Sequence, residues 1–338
     1  MILNTIWFVL IGILFAGYAI LDGFDLGVGI LHLFTHTDEE RRLFLNAIGP
    51  VWDGNEVWLV TGGGALFAAF PPVYATFFST FYLELMLLLA VLIFRAIAIE
   101  FRSKQPMRWW RQFWDICFSA SSLLISFIIG VALGDIIHGI ALNAHAQFSG
   151  PWYTLFHPYA LLMGVFTVAL FTMHGSIYLV LKTTGDLHHK VRQWIKNTII
   201  FFILLYSIVT IATLLYIPWM SHRIQSHAEL FILPIMTILL IANIPRSVSL
   251  GKDFQAFLSS CGSMLTLMIL FGLGMFPNMI ISNPLPQYSL TIFNSSSTPH
   301  TLKIMLIIVA IGFPLVLFYT VGIYWIFRGK VKLDSNSY

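Results

Sequence analysis

Nine long apolar runs succeed one another along this chain, at approximately 5–31, 51–70, 73–100, 113–139, 153–182, 195–218, 229–246, 256–281 and 302–327. A helix that crosses a bilayer needs about 20 mainly apolar residues, and each run meets that length or nearly so. The third, fourth and fifth exceed it and are expected to tilt or protrude. The links between runs are short, so no soluble domain is hidden among them. Composition agrees: hydrophobic residues make up 58% of the 338 and charged residues 10%. A soluble surface needs about 25% charge, which excludes an ordinary globular domain, and the same apolarity excludes disorder. A transmembrane β-barrel alternates over about ten residues instead of running apolar for twenty. The chain therefore reads as an all-α polytopic membrane protein, one integral membrane domain over 1–338. The opening MILNTIWFVLIGILF has no basic leader and no small-residue cleavage site, so it reads as a retained first span.

Orientation follows from lysine and arginine, which favour cytoplasmic links. Arg41 and Arg42 fall in the first link. Arg95, Arg102, Lys104, Arg108 and Arg111 fall in or beside the third. Lys182, Lys190, Arg192 and Lys196 belong to the fifth, Arg246 and Lys252 to the seventh, and Arg328, Lys330 and Lys332 to the tail. Sixteen of the 18 basic residues thus share one side, leaving Arg223 and Lys303 on the other. This places the N-terminus outside and the C-terminus in the cytoplasm. A wrong number of spans would scramble the parity, so the asymmetry also favours nine. The stretch NSSST at 294–298 reads as a polar outer loop.

Charges inside these runs need a role or a partner, because a carboxylate at mid-bilayer costs about 2.5–3.5 kcal/mol on insertion scales. The first run ends GYAILDGFDLGVG, with Asp22 and Asp25 on one helix face. The second begins GPVWDGNEVWLVTGGG, with Asp53 and Glu56 spaced the same way. The two runs are antiparallel, so all four carboxyl groups fall in the cytoplasmic half at similar depth. They suit a proton-conducting or cation-binding antechamber. The plainer alternative is acids solvated at helix ends, with Asp53 favoured by a helix N-terminus. Glu84 lies near the middle of the third run. Arg95 follows on the same face about 16 Å further along the helix, too far to pair with Glu84 but placed to neutralise the acid cluster. Glu84 reads either as a functional acid or as a carboxyl hydrogen-bonded in a subunit contact. Asp115 and Asp135 stand near opposite ends of the fourth run, where solvation at the interface is the expectation for each.

His138, His157 and His174 lie in or near the spans. None has the spacing of a dedicated metal site, although two spans could in principle supply a bis-histidine haem, which makes His138 and His174 weak ligand candidates. A lone helical histidine is more often a satisfied polar residue. Cys117 and Cys261 form no metal or disulfide pattern and read as small core residues. The glycines at 62–64 and at 23, 27 and 29 make no nucleotide loop and suit close helix packing. Nothing points to a nucleic-acid partner.

The segments GYAILDGFDLGVG, ERRLFLNAIGPVWDGNEVWLVTGGGALFAAFPPVYA and FRAIAIEFRSK closely resemble subunit II of cytochrome bd-type quinol oxidases. They occupy the first 105 residues or so; later runs agree in number and in phrases such as TTGDLHHK. The resemblance implies a complex in the bacterial cytoplasmic membrane that oxidises a membrane quinol and reduces O₂ to water. Protons would be taken up from the cytoplasm, which makes the reaction electrogenic. It implies a haem-bearing subunit I as partner, with two b-type haems and one d-type haem in that partner and none bound by this chain alone. Some members also have a small single-span accessory subunit, and some hold a structural quinone in this subunit. The implied fold is two four-helix bundles plus one further helix: 1–139, then 153–281, then the ninth helix at 302–327 and a tail at 328–338. In the family an acid matching Asp53 is implicated in a proton route, and Asp25 matches a second motif acid. The sixth-to-seventh link, near WMSHRIQSHA, is shorter than in some members. The other readings are a secondary transporter or cation antiporter using the same acids, for which inverted repeats are not visible, and a purely structural scaffold subunit.

Overall fold

The computed structural model describes residues 2–333. With no water to satisfy the backbone in hydrocarbon, the chain must close its hydrogen bonds within each segment, and it does so in helices. These are α1 (Ile2–Leu31), α2 (Asp38–Ile48), α3 (Trp52–Ala69), α4 (Pro71–Thr80), α5 (Tyr82–Phe101), α6 (Arg108–His138), α7 (Pro158–Lys182), α8 (Gly185–Tyr216), α9 (Trp219–Ser226), α10 (Ile232–Ser249), α11 (Asp253–Met275) and α12 (Pro299–Ile326). Among the described residues, eight helices are long and apolar enough to cross a membrane: α1, α5, α6, α7, α8, α10, α11 and α12, some with a flanking 3-10 turn. The expected second span is α3. Its 18 residues include Asp53, Asn55, Glu56 and Gly62–Gly64, and this polar, glycine-rich content keeps it out of the eight. The expected third span is a pair of helices, α4 and α5, joined through Phe81.

Local chemistry sets the breaks. After Phe70 come Pro71 and Pro72, which cannot continue the α3 ladder, and α4 starts with proline in its first turn. The short helix α2 opens with a capping box. Thr37 Oγ1 accepts from the Glu40 amide at 3.2 Å, and the Glu40 carboxylate accepts from the Thr37 amide at 3.2 Å.

The second half of α1 is the axis of the packing. Every residue from Asp22 to Leu31 is buried, enclosed by α3, α6, α7 and α11. Gly27 lets this happen. A Cβ there would collide with the backbone carbonyl of Phe171 on α7, and one on Gly175 would stand 2.5 Å from the Gly27 carbonyl carbon. Small residues at a crossing let helix backbones approach closely, and here they set the depth at which α1 and α7 meet. α6 and α7 form another long contact, α10 packs on α11, and α12 touches the rest only lightly, burying Leu302 alone. On the opposite side from α2, a two-stranded antiparallel hairpin, β1 (Asn278–Ile280) with β2 (Leu290–Thr291), leads into the 294–298 loop. Asn4 Nδ2 donates to Ile292 O at 2.7 Å and Trp7 Nε1 to Leu302 O at 3.0 Å, pinning the start of α1 to this face.

Candidate functional site

The acid cluster forms where α1, α3 and α5 meet. Arg95 is fully buried on α5 and grips Asp22 with both ends of its guanidinium fork: Nη2 donates to Oδ1 at 2.6 Å and Nη1 to Oδ2 at 3.0 Å. Glu56 on α3 lies 3.6 Å from the same Nη1. Asp25, one helical turn beyond Asp22, is also fully buried, and Asn55 Nδ2 donates to its Oδ2 at 2.7 Å. Its other oxygen, Oδ1, has no hydrogen-bond partner. Asn55 is held in turn by Tyr324 of α12, whose hydroxyl donates to Asn55 Oδ1 at 2.9 Å. One guanidinium therefore faces three carboxyl groups, at most partly matched, in a place where an isolated charge is expensive.

Of the residues singled out from sequence, the structure brings together Asp22, Asp25, Glu56 and Arg95. Asp53 stands apart, exposed on the first turn of α3. Glu84 is buried in the first turn of α5, near enough to Asp135 on α6 for the two charges to interact, and it makes no contact with Arg95. The solvated-interface expectation for Asp115 and Asp135 is overturned. Both are 1% exposed. Asp135 pairs with His157 Nε2 at 3.1 Å. Asp115 is enclosed by His32 Nε2 at 2.6 Å, Arg102 Nε at 2.6 Å and Arg41 Nη1 at 2.7 Å. Asp38 adds a half-exposed carboxylate to Arg102 and Arg111 at 2.8 and 3.0 Å. α2 and the adjoining ends of α1, α5 and α6 are thus stapled by one ionic network. Charged partners on separate links folded over a helix end, instead of water, are the reason. Sequence reasoning missed Asn55, Tyr324 and His32. Asn55 sits inside a motif read for its acids alone, while Tyr324 had no signal in an unbroken apolar run.

The histidine chemistry does not suit a haem. His174 has both ring nitrogens engaged, Nδ1 with Ser260 Oγ at 2.7 Å and Nε2 with the Ile20 carbonyl at 3.0 Å, and its ring lies flat on Phe257. His138 leans on His157 with ring centroids 4.2 Å apart, too close for a porphyrin between them, and its Nδ1 contacts Gly139 O. No group of three metal-binding side chains occurs among the described residues.

Comparison with known proteins agrees with the motifs. The model for cytochrome bd terminal oxidase subunit II matches residues 3–327. The chain belongs to that family. The cytochrome bd-I ubiquinol oxidase subunit 2 of Escherichia coli K12 is 32% identical, over 99% of this chain and 96% of its own length. The cytochrome bd ubiquinol oxidase subunit 2 of Bacillus subtilis 168 is 33% identical, over 98% and 97%. Among solved structures, a chain of the bd oxidase from Geobacillus thermodenitrificans superposes with a TM-score of 0.79, covering 97% of this chain and 98% of that one at 16% identity. That likeness shows the fold: α1–α12 are arranged as in a chain of a bd oxidase.

Proposed function

We propose that this chain is the subunit II of a respiratory quinol:O₂ oxidoreductase. It packs against a haem-bearing subunit I in the bacterial cytoplasmic membrane, with its N-terminus outside and its C-terminus in the cytoplasm. The full-length kinship with two ubiquinol oxidase subunits supports the assignment to such a complex. In this reading α3 is the ninth span, packed on α1 along one face. α1 to α6 make one four-helix bundle and α7 to α11 a second, with α12 added to the pair. The haems, two of b type and one of d type, belong to the partner, and when bound they supply the electron transfer and O₂ chemistry. A structural quinone in this subunit and a small accessory subunit form no part of this proposal.

This chain's own contribution is a proton route. O₂ reduction consumes protons inside the membrane, and hydrocarbon conducts none. The observation that carries the reading is Asp25: a fully buried carboxyl with one oxygen held by Asn55 and the other unpartnered. Asp22 and Glu56 stand beside it, with Arg95 as the fixed cation. Such a group can accept and release a proton while the Asp22–Arg95 pair keeps its geometry. Asp53, exposed at the start of α3, would hand protons onward across the subunit contact.

Asp25→Asn and Asp53→Asn, each in the assembled complex, test this. Turnover measured as O₂ consumption should fall in both while haem content stays near normal. Full turnover in both would refute the route. Lost haem with lost turnover would favour the scaffold reading, for which the Asp22–Arg95 pair is the specific support. A cation antiporter would show ion-dependent transport without a haem-bearing partner.

A further inference from the structure

Where the cytoplasmic ends of α2, α7 and α12 meet the tail, the structure leaves a half-open cavity of about 380 Å³. Asn46, Tyr178, Lys182, Tyr324, Gly329 and Lys330 are among its walls. The volume and the polar groups in its mixed lining suit several water molecules. Its inner wall is aromatic: Phe24 stacks on Tyr178 at 4.0 Å and meets Tyr324 edge-on at 6.4 Å. Phe24 precedes Asp25 in α1, so this aromatic layer joins the cavity wall to the helix that carries the acid cluster. Tyr178 closes its part of the wall by donating to Ala47 O at 3.0 Å. Tyr324 does the opposite. Its ring lines the cavity, and its hydroxyl reaches through to Asn55, which holds Asp25.

We infer that this cavity is the cytoplasmic mouth of the Asp25 proton route, with Tyr324 and Asn55 as positioning residues at its inner end. The inference rests on the proton-route reading above and adds the place where protons enter. Asn55 is not the carrier, since its amide has no proton to pass at ordinary pH. It fixes Asp25 Oδ2 and leaves Oδ1 open, so that a water beside the Tyr324 hydroxyl delivers a proton to that oxygen. The carboxylate becomes a carboxylic acid and the water is reprotonated from the cavity. Depth is consistent: Asp25 is less than two turns, ~9 Å, from the end of α1 at Leu31.

The lysines keep the mouth open instead of filling it. Lys182 Nζ donates to Phe327 O, Lys330 Nζ donates to Val180 O at 2.8 Å, and Val331 N donates to Lys182 O at 2.8 Å. Each ammonium sits on the carbonyl end of a helix, where a cation is favoured, and together they strap the tail along the rim.

Gly329 offers a plug. It is exposed, and a Cβ built there meets nothing within 4 Å. In the assembled oxidase, Gly329→Cys is treated with a bulky thiol reagent or with methyl methanethiosulfonate, beside the parent enzyme as a control for Cys117 and Cys261. The expected result is severalfold slower turnover with the bulky adduct, little change with the methyl one, and unchanged haem content. In an Asp25→Asn background the bulky adduct should slow turnover no further. Tyr324→Phe, which keeps the ring and removes the hydroxyl, should also slow turnover with haem intact. If Asp25→Asn is slow but the plugged enzyme and Tyr324→Phe run at full rate, protons enter elsewhere, and the mouth is overturned while the route stands. If the plug and Asp25→Asn slow turnover multiplicatively, the plug acts at a separate place and the mouth is again overturned. Full turnover in Asp25→Asn overturns the route itself, and the mouth with it.

Discussion

Asp115→Asn is expected to weaken the complex far more than any neutral surface change, because of what its carboxylate touches. Both oxygens are sealed from solvent, and three donors from three segments converge on them: His32, Arg102 and Arg41, each at 2.6–2.7 Å. Asparagine keeps one acceptor oxygen, removes the charge and turns an NH₂ toward a guanidinium. Removing one member of a buried ion pair costs about 3–5 kcal/mol, since the other charge is left uncompensated. Arg102 keeps Asp38 at 2.8 Å, and the Arg41 side chain is 22% exposed, so the lower end, ~3 kcal/mol, applies. That corresponds to roughly a hundredfold in a folded-to-unfolded ratio. Membrane complexes unfold irreversibly, so the assay is a rate: the half-life of haem retention and activity in membranes at a fixed elevated temperature. Asp38→Asn is the comparator. Its carboxylate bonds two of the same network's arginines but is 44% exposed, which limits its loss to about 1 kcal/mol. Adding Arg102→Gln to Asp115→Asn should cost little more, because the pair is already broken. If Asp115→Asn retains haem as long as Asp38→Asn does, the buried network does not hold these helix ends and the reasoning fails.

Gly27→Ala should destabilise assembly by about 1–3 kcal/mol or more through overpacking, while Gly12→Ala on the same helix, with no atom within 4 Å of its added Cβ, should be neutral; haem retention after heating reads both. Burial pushes the Glu40 carboxyl up, but the amides of His36 and Thr37 and the ammonium of Lys190 outweigh it and hold the group below its ordinary 4.5. Its stabilisation is therefore complete above that value and lost as pH falls through the lowered one. The heat resistance of the parent over Glu40→Gln, about 1 kcal/mol, should shrink on acidification below pH 4.5, and a pH-independent gap would contradict this. Substituting His138 and His174 together should leave all three haem bands of the assembled complex in place, and loss of one band with assembly intact would refute the absence of a haem ligand here. A phosphatase reporter fused after Tyr338 should be inactive, as a cytoplasmic C-terminus requires; activity would reverse the topology.

Membership of the all-α class was legible in the sequence because hydrocarbon imposes a one-dimensional rule. A backbone without water must be helical, and a helix that spans must be apolar for about 20 residues. α5, α6, α7 and α12 satisfy that rule openly. The same rule flagged Asp22, Asp25 and Glu56, since a charge in such a run stands out wherever the chain later goes. The rule reads α3 least clearly, because its polar first turn and glycines dilute the apolar run; Asn55 and Gly62 pack against α1 while Asp53 stays exposed. Hydropathy says nothing of which charge meets which. Asp115 and Asp135 look alike in sequence, each near the end of one helix, yet one is sealed among two arginines and a histidine and the other meets His157. Spacing kept Arg95 from Glu84 and turned it to the acid cluster, but only the packing of α5 against α1 gave its fork to Asp22. Asn55 and Tyr324 became neighbours although 269 residues separate them. These partnerships depend on the depth and angle at which helices cross, which the Gly27–Gly175 contact helps to set. Burial of a run is thus written in the run itself, while pairing of its charges exists only once several runs have packed.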